Sequence, residues 1–265
     1  QELIEVYMGD LVGDRVYEKF GVEFPLLIKY IDANDDLSIQ VHPDDETAKE
    51  RHNAYGKTEM WYVADAEKDA SLIMGFNKET DKAEYLQALH SNRLMDILNT
   101  EKVKKGDSFF IPAGLVHAIG KGCYIAEIQQ TSDITYRIYD YNRKDAEGHT
   151  RELHTDLATD VIDYHYHPKH KVDYTPHDNK SVQLVKCPYF TTNLLVFDRD
   201  IEKEYVHLDS FVIYMCIQGK FTISTGECDP VMVNKGETVL VPACFKNVTL
   251  YPDEVSRVLE IYVEE

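Results

Sequence analysis

Short alternations of apolar and polar residues run through most of the chain. Segments 24–31, 37–42, 59–63, 71–75, 108–112, 123–129 and 135–139 are rich in β-branched and aromatic residues and bounded by Gly, Pro, Asn and Asp. That pattern predicts strands. One stretch changes period. Between Asp81 and Leu98, Leu86, Leu89, Leu94, Ile97 and Leu98 recur at helical spacing, and Asp81 with Glu84 three residues later resembles a capping box. One or two short helices are predicted there, an insertion over about 78–100. From Tyr141 to about Asn179 the chain turns polar and His-rich, with a helix predicted over 151–162 and an extended stretch carrying Pro168 and Pro176. Strands resume at 183–197, 211–217, 220–224, 238–242 and 255–263, so the fold class is mainly β.

The two β-rich halves repeat each other. The string KGDSFFIPAGLVH, Lys105 to His117, aligns without a gap on KGETVLVPACFKN, Lys235 to Asn247, an offset of 130 residues from Gly106 to Gly236. Lys, Gly, an acid, a hydroxyl, three apolar residues, Pro and Ala coincide. The same β-barrel unit is therefore expected twice. The position that is His117 in the first copy is Asn247 in the second, so any ligand role of His117 is lost from the second barrel.

Composition narrows the partners. With 265 residues the chain suits one large domain or two ordinary ones. Its 28 Lys+Arg against 47 Asp+Glu leave a formal charge of −19, which argues against nucleic acid and anionic membrane surfaces as partners. The apolar run 211–217 falls far short of the roughly 20 residues that span a bilayer. Five cysteines with no C-x-x-C pair fit reduced thiols and a cytoplasmic location. The first residues lack the basic and apolar regions of a secretory signal, and the missing initial Met leads us to expect a preceding N-terminal piece.

Polar residues interrupt the strands at a few places. In 37–42, Leu37, Ile39 and Val41 point one way and Ser38, Gln40 and His42 the other. Lys57 and Glu59 share a face leading into an apolar run, and His117 follows the Pro-Ala-Gly turn. Two imidazoles, a carboxylate and an amide oxygen suit zinc or another first-row divalent ion. Satisfied core polar groups would explain any one of these residues alone. Three such breaks in one repeat, with the aligned His lost from the other, favour a site. Further on, Glu127 leaves a strand, Asp133 sits in a turn and Arg137 enters the next strand opposite Tyr136. Arg137 reads either as a structural partner of an acid or as a cation aimed at a substrate anion. His165, His167, His170 and His177 read as solvated linker, Trp61 as an ordinary strand aromatic, and the pairs Asp35-Asp36 and Asp44-Asp45 as turn residues.

The strings FPLLIK (24–29), LSIQVHPD (37–44), GKTE (56–59), IPAGLVHAIG (111–120) and TSDITYR (131–137) resemble type I mannose-6-phosphate isomerases, closest to their short bacterial form. The resemblance implies the cupin fold: two jelly-roll barrels with a short helical insertion in the first. The expected domains are a catalytic metal-binding cupin over 1–145, a connector over 146–181 and a degenerate second cupin without metal ligands over 182–265. It implies one zinc per chain on Gln40, His42, Glu59 and His117, and Arg137 as the catalytic arginine. Lys57 matches a residue linked to proton handling, Glu127 and Asp133 match acids of the pocket, and Ser38, Lys29 and Arg143 match positions around the substrate phosphate. Further N-terminal strands usual in the family are not in this sequence. The implied reaction converts mannose 6-phosphate to fructose 6-phosphate through a cis-enediol, with Lys57, Glu127 or water at the metal as the base. Against the acidic surplus, Lys29, Lys57, Arg137, Arg143 and the metal would form a local positive island for the anionic sugar. Two rivals remain. One is a metal-dependent cupin oxygenase, which a fourth ligand at Gln40 disfavours. The other is a non-catalytic sugar-phosphate-binding cupin.

Overall fold

Apolar alternation along short strands does here what it dictates: each strand gives one face to an interior and the other to a covering layer or to solvent. The computed structural model describes residues 1–264. In chain order the elements are α1 (Glu2–Val12), α2 (Asp14–Phe20), β1 (Leu26–Asp32), β2 (Ile39–Val41), α3 (Asp45–His52), β3 (Glu59–Ala66), β4 (Ser71–Phe76) and α4 (Lys82–His90). There follow β5 (Leu98–Lys102), β6 (Ser108–Ile111), β7 (His117–Ile119), β8 (Cys123–Gln130), β9 (Tyr136–Tyr139) and α5 (Thr155–Val161). The last group is β10 (Lys180–Lys186), β11 (Thr191–Phe197), β12 (Ile201–Glu204), β13 (Val212–Gln218), β14 (Lys220–Ser224), β15 (Val231–Asn234), β16 (Thr238–Val241), β17 (Asn247–Pro252) and β18 (Ser256–Tyr262).

The chain divides into two units, one of residues 26–171 and one of residues 1–25 with 172–265. The first unit pairs a sheet of order β1-β8-β3-β6 with one of order β5-β4-β7-β2-β9. In the second unit the orders are β10-β11-β18-β13-β16 and β12-β17-β14-β15. Replacing each strand by its counterpart turns one set into the other, with β9 and β10 as the additions. This is the two-sheet cupin arrangement, made twice. Gly106 and Gly236, aligned in the repeat, both take positive φ, +90° and +86°, where a side chain would be strained.

In the first unit the β5-β4-β7-β2-β9 sheet is covered on both faces. Leu72, Met74 and Ile119 point inward to Trp61, Phe109 and Ile125 of the facing sheet. Ile39, Val41, Ile73, Ala118 and Ile138 point outward to Tyr85, Ala88 and Leu94 of the inserted helical segment and to Ala158 of α5. The predicted insertion is thus a lid on the outer sheet face. It comprises α4, capped by Asp81 accepting from the Glu84 N–H at 2.8 Å, and a 3-10 turn over Leu94–Asp96.

Three expectations change. Residues 1–25, assigned by the sequence to the first barrel, form helices that cluster with the second unit: the Ala243 N–H donates to the Leu11 carbonyl, and Asp209 accepts from the N–H groups of Asp14 and Arg15 at 2.9 and 3.1 Å. The region read as a connector belongs up to residue 171 to the first unit, because α5 buries Ala158 and Ile162 in its core. Asp44 and Asp45 are not simple turn residues. Asp44 caps α3 by accepting from the Thr47 N–H at 2.9 Å, and the Asp45 carboxylate accepts from Gly56 N–H and the Gln130 amide. Among the described residues no helix is long and apolar enough to cross a membrane.

Candidate active site

The alternation read from residues 37–42 is realised. Ile39 and Val41 lie in the outer core, while Gln40 and His42 turn to the interior between the sheets. β2 lies between β7 and β9, with Gln40 opposite both His117 and Arg137. The end of β2 is tied to the turn before His117 by Gly114 N–H donating to the His42 carbonyl at 2.9 Å. Gly114 has φ +88°, and a Cβ there would lie 3.0 Å from the Val161 carbonyl oxygen, so the turn that aims His117 requires glycine. Glu59 arrives from the facing sheet at the start of β3.

His42, Glu59 and His117 are buried, and their candidate ligand atoms all lie within 4.8 Å of one another. His42 Nε2 is 3.4 Å from Glu59 Oε1, and His117 Nε2 is 3.7 Å from Glu59 Oε2. Among the described residues, both nitrogens of His42 and both oxygens of Glu59 lack a hydrogen-bond partner. Lys57 Nζ stands 3.0 Å from Glu59 Oε1 as an ion pair, but outside hydrogen-bonding alignment. Four buried polar atoms without partners are costly unless something fills the gap between them. A divalent ion fits: His117 Nδ1 lies 2.8 Å from the Leu115 carbonyl, leaving Nε2 toward the cluster. The Gln40 amide ends 3.4 Å from His117 Nε2, and exchanging its two ends presents oxygen to the same point.

Burial pushes the His42 imidazole down to about 3, against the attraction of Glu59. Burial likewise lowers His117. Burial drives Glu59 upward, but His42 and Lys57 outweigh it and hold the carboxylate ionised. Neutral imidazoles beside an ionised carboxylate are the forms that ligate metal.

A second cluster adjoins through cross-strand pairs. Glu59 pairs with Gln129, and Trp61, two residues along on the same face, pairs with Glu127. Trp61 Nε1 donates to Glu127 at 2.8 Å, and Lys29 Nζ reaches Glu127 at 2.9 Å and Gln129 at 2.5 Å. Burial raises the Glu127 pKa, with Glu59 adding to the shift. The third group surrounds Arg137, which is half-buried. Its Nε donates to Ser38 Oγ at 3.3 Å and Nη1 to the Glu152 carbonyl at 3.0 Å. Among the described residues it forms no ion pair with a carboxylate, though Asp140 and Glu152 attract it at longer range. Burial and then Arg151 depress its pKa. Arg143 binds Asp140 and the Asp36 carbonyl, and Arg151 shares Asp140 with it, at 2.8 Å from Arg151 Nε. Asp133 is exposed in the loop before β9.

The expected residues thus fall into three local groups: the metal-capable set with Lys57; Lys29 with Glu127; and Ser38 with Arg137, near Arg143. Sequence reading passed over Trp61, Gln129 and Arg151. The first two were accessible from period-2 alternation, two residues beyond Glu59 and Glu127. Arg151 lay in a polar stretch with no periodicity to place it.

The fold and site together define a double-barrel cupin with a metal-capable His-Glu-His centre in its first unit. The family model "Phosphomannose isomerase type I, catalytic domain" matches residues 1–74. Mannose-6-phosphate isomerase ManA of Bacillus subtilis is 40% identical over 237 residues, 88% of this chain and 71% of that protein. The mannose-6-phosphate isomerase of Streptococcus mutans is 35% identical over 229 residues, 84% of this chain and 70% of that protein. The crystal structure of the mannose 6-phosphate isomerase from Bacillus subtilis superposes with a TM-score of 0.79 at 30% identity, covering 94% of this chain and 81% of that one. The chain belongs to the type I mannose-6-phosphate isomerase family.

Proposed function

We propose that this protein interconverts mannose 6-phosphate and fructose 6-phosphate, with one zinc per chain held by His42, Glu59, His117 and Gln40. The observation that carries the reading is the set of buried, unpartnered nitrogen and carboxylate atoms of His42 and Glu59, facing His117, in a member of this family. Bound there, the ion supplies Lewis acidity for charge developing on the sugar oxygens.

The protein's own groups divide the remaining work. Glu127, whose pKa burial raises, takes the proton from C2 of the open-chain aldose and returns one at C1 of the cis-enediol. Trp61 and Lys29 fix its carboxylate, so Lys29 serves Glu127 rather than the phosphate. Lys57 keeps Glu59 ionised and stands by for proton exchange at the sugar oxygens. Arg137, with no carboxylate ion pair among the described residues, faces the negative charge as it builds on the enediol. The phosphate meets Ser38 and Arg143, with Arg151 alongside, and Asp133 stands at the rim of the pocket.

The test is a coupled assay of mannose 6-phosphate conversion before chelation, after it, and after zinc is returned, with proton exchange at C2 followed in heavy water. Turnover should vanish with the chelator and return with zinc. A folded, zinc-loaded protein that neither isomerises the sugar nor exchanges the C2 proton would overturn the reading.

A further inference from the structure

The second unit contains a cavity of about 850 Å³ beside Glu260, within the roughly 300–1,000 Å³ usual for small-molecule sites. Its place in the fold follows from the strand register. In the first unit Glu127 on β8 stands opposite Trp61 on one neighbour and Lys29 on the other. In the second unit Glu260 on β18 stands opposite Tyr214 and Asn193. Glu260 therefore occupies the position of Glu127, and the cavity lies at the duplicate of the proposed sugar site.

The metal chemistry is gone from this duplicate. Glu59 pairs with Ile111, and Val212 pairs with Val241, the residue 130 positions on from Ile111, so an apolar side chain replaces the carboxylate ligand. Asn247 replaces His117, and Val212 is packed in the unit's core. The buried acid was kept, and it is fully engaged. Ser181 Oγ donates to Glu260 at 2.7 Å, Asn193 Nδ2 donates at 3.3 Å, the Tyr205 hydroxyl donates as well, and Lys203 Nζ lies 2.7 Å away. Burial pushes the Glu260 pKa up, but the Lys203 ammonium outweighs it and keeps the carboxylate ionised.

The wall thus offers paired charge, hydroxyls and an amide rather than a bare ion. The Tyr262 hydroxyl accepts from Asn193 at 3.3 Å, and the rings of Tyr205 and Tyr262 line the cavity. Such groups suit a ligand whose hydroxyls both donate and accept, with an apolar C–H face for the aromatic rings. A phosphate is disfavoured, because four carboxylates, Glu204, Asp209, Glu260 and Glu264, line the cavity against Arg15 and Lys203. An organic cation finds the buried carboxylate already taken, since Lys203 and three hydrogen-bond donors meet Glu260. We infer that this cavity binds a neutral, polyhydroxylated molecule of the sugar class and does not turn it over. The sugar class rests on the reading of the first unit as a sugar site; the cavity and its register do not.

Titration calorimetry on the full chain tests this, with D-mannose and methyl α-D-mannopyranoside as probes and isomerase turnover measured in parallel. Wild type should bind the neutral sugars saturably. Asn193→Ala should weaken that binding by about tenfold, the value of roughly one hydrogen bond, while leaving turnover unchanged. His117→Ala, in the first unit, should lose turnover and keep the neutral-sugar binding. If Asn193→Ala does not fold by circular dichroism, Tyr262→Phe removes a single hydroxyl from the same wall and should weaken binding in the same sense. Absence of saturable binding overturns the inference, and so does binding that disappears in His117→Ala but survives Asn193→Ala. Failure of the isomerase reading would appear separately, as no turnover in wild type.

Discussion

The two units share a strand order and differ at one buried acid: Glu59 of the first has Val212 in its place in the second, while Glu260, the counterpart of the hydrogen-bonded Glu127, is kept. Glu59 in the first is ringed by imidazoles and one ammonium, yet its oxygens and both His42 nitrogens are left without hydrogen bonds. Glu260 in the second is ringed by donors and an ammonium that meet it directly. An unsatisfied buried set is costly unless a ligand fills it, and a satisfied one is stable alone. The difference teaches that this scaffold tolerates loss of chemistry without loss of topology. Strand order depends on turn glycines and apolar alternation, present in both copies, whereas the metal-capable set depends on side chains such as Glu59 and His117, which Val212 and Asn247 replace in the second copy.

The comparison breaks first at the metal set. His117→Ala should lower turnover by about 10³-fold or more, because several kcal/mol of charge stabilisation go with the ion, and metal content should fall with it. Its counterpart Asn247→Ala, at an exposed position, should change turnover by less than about twofold. Arg137→Ala comes next. It should reduce kcat by about 10²- to 10³-fold while metal content, read by atomic absorption, stays at the wild-type level. Near-normal turnover of that variant would remove Arg137 from the mechanism.

Acid should then separate the units in the chelated protein. His42 is lowered from 6.5 to about 3 and His117 is lowered too, so the neutral forms belong to the fold. Their stabilisation is present above pH 6.5 and is lost as pH falls from 6.5 toward 3. Glu260 is held below its ordinary 4.5, so its contribution is lost only as pH falls beneath 4.5. Amide exchange between pH 6.5 and 4.5 should therefore show β2 and β7 losing protection while β13 and β18 keep theirs. A smaller contrast compares hydrogen-bond partners. Trp61→Phe removes a buried donor to Glu127 and should cost about 1–3 kcal/mol in denaturant unfolding. Tyr214→Phe removes a hydroxyl bonded to that of Tyr205, leaves Glu260 with Ser181, Asn193, Tyr205 and Lys203, and should cost less than about 1 kcal/mol. Last, Asn247→His should add no metal to the chain, since Val212 still stands in place of the carboxylate. A second bound ion would show that one imidazole suffices.

Legibility followed the range of each physical cause. The facing of Ser38, Gln40 and His42 was readable because side-chain alternation is a local property of any strand, and the inserted helix because Asp81 and the leucine spacing mark it locally. The 130-residue repeat made the duplication visible and singled out His117 against Asn247. The helix at Asp45–His52 was missed because its core contribution is a single buried residue, Ala48, which leaves almost no apolar periodicity. Residues 1–25 were misassigned because nothing local tells a helix which distant loop will hold it. Arg151 was missed because its partner, Asp140, lies across a turn-rich segment without period.

By itself, then, the sequence determined a duplicated mainly-β chain, the faces of its strands and the residue types able to hold one metal, since these follow from period, turn chemistry and side-chain identity. Only the tertiary structure decided that His42, Glu59 and His117 converge and that Trp61 and Lys29 both hold Glu127. It also decided that, among the described residues, Arg137 forms no ion pair with a carboxylate, and that Glu260 holds in the second unit the strand position of Glu127 in the first. Those are distances between strands far apart in sequence, and they are fixed by sheet register and by the packing of one sheet on another.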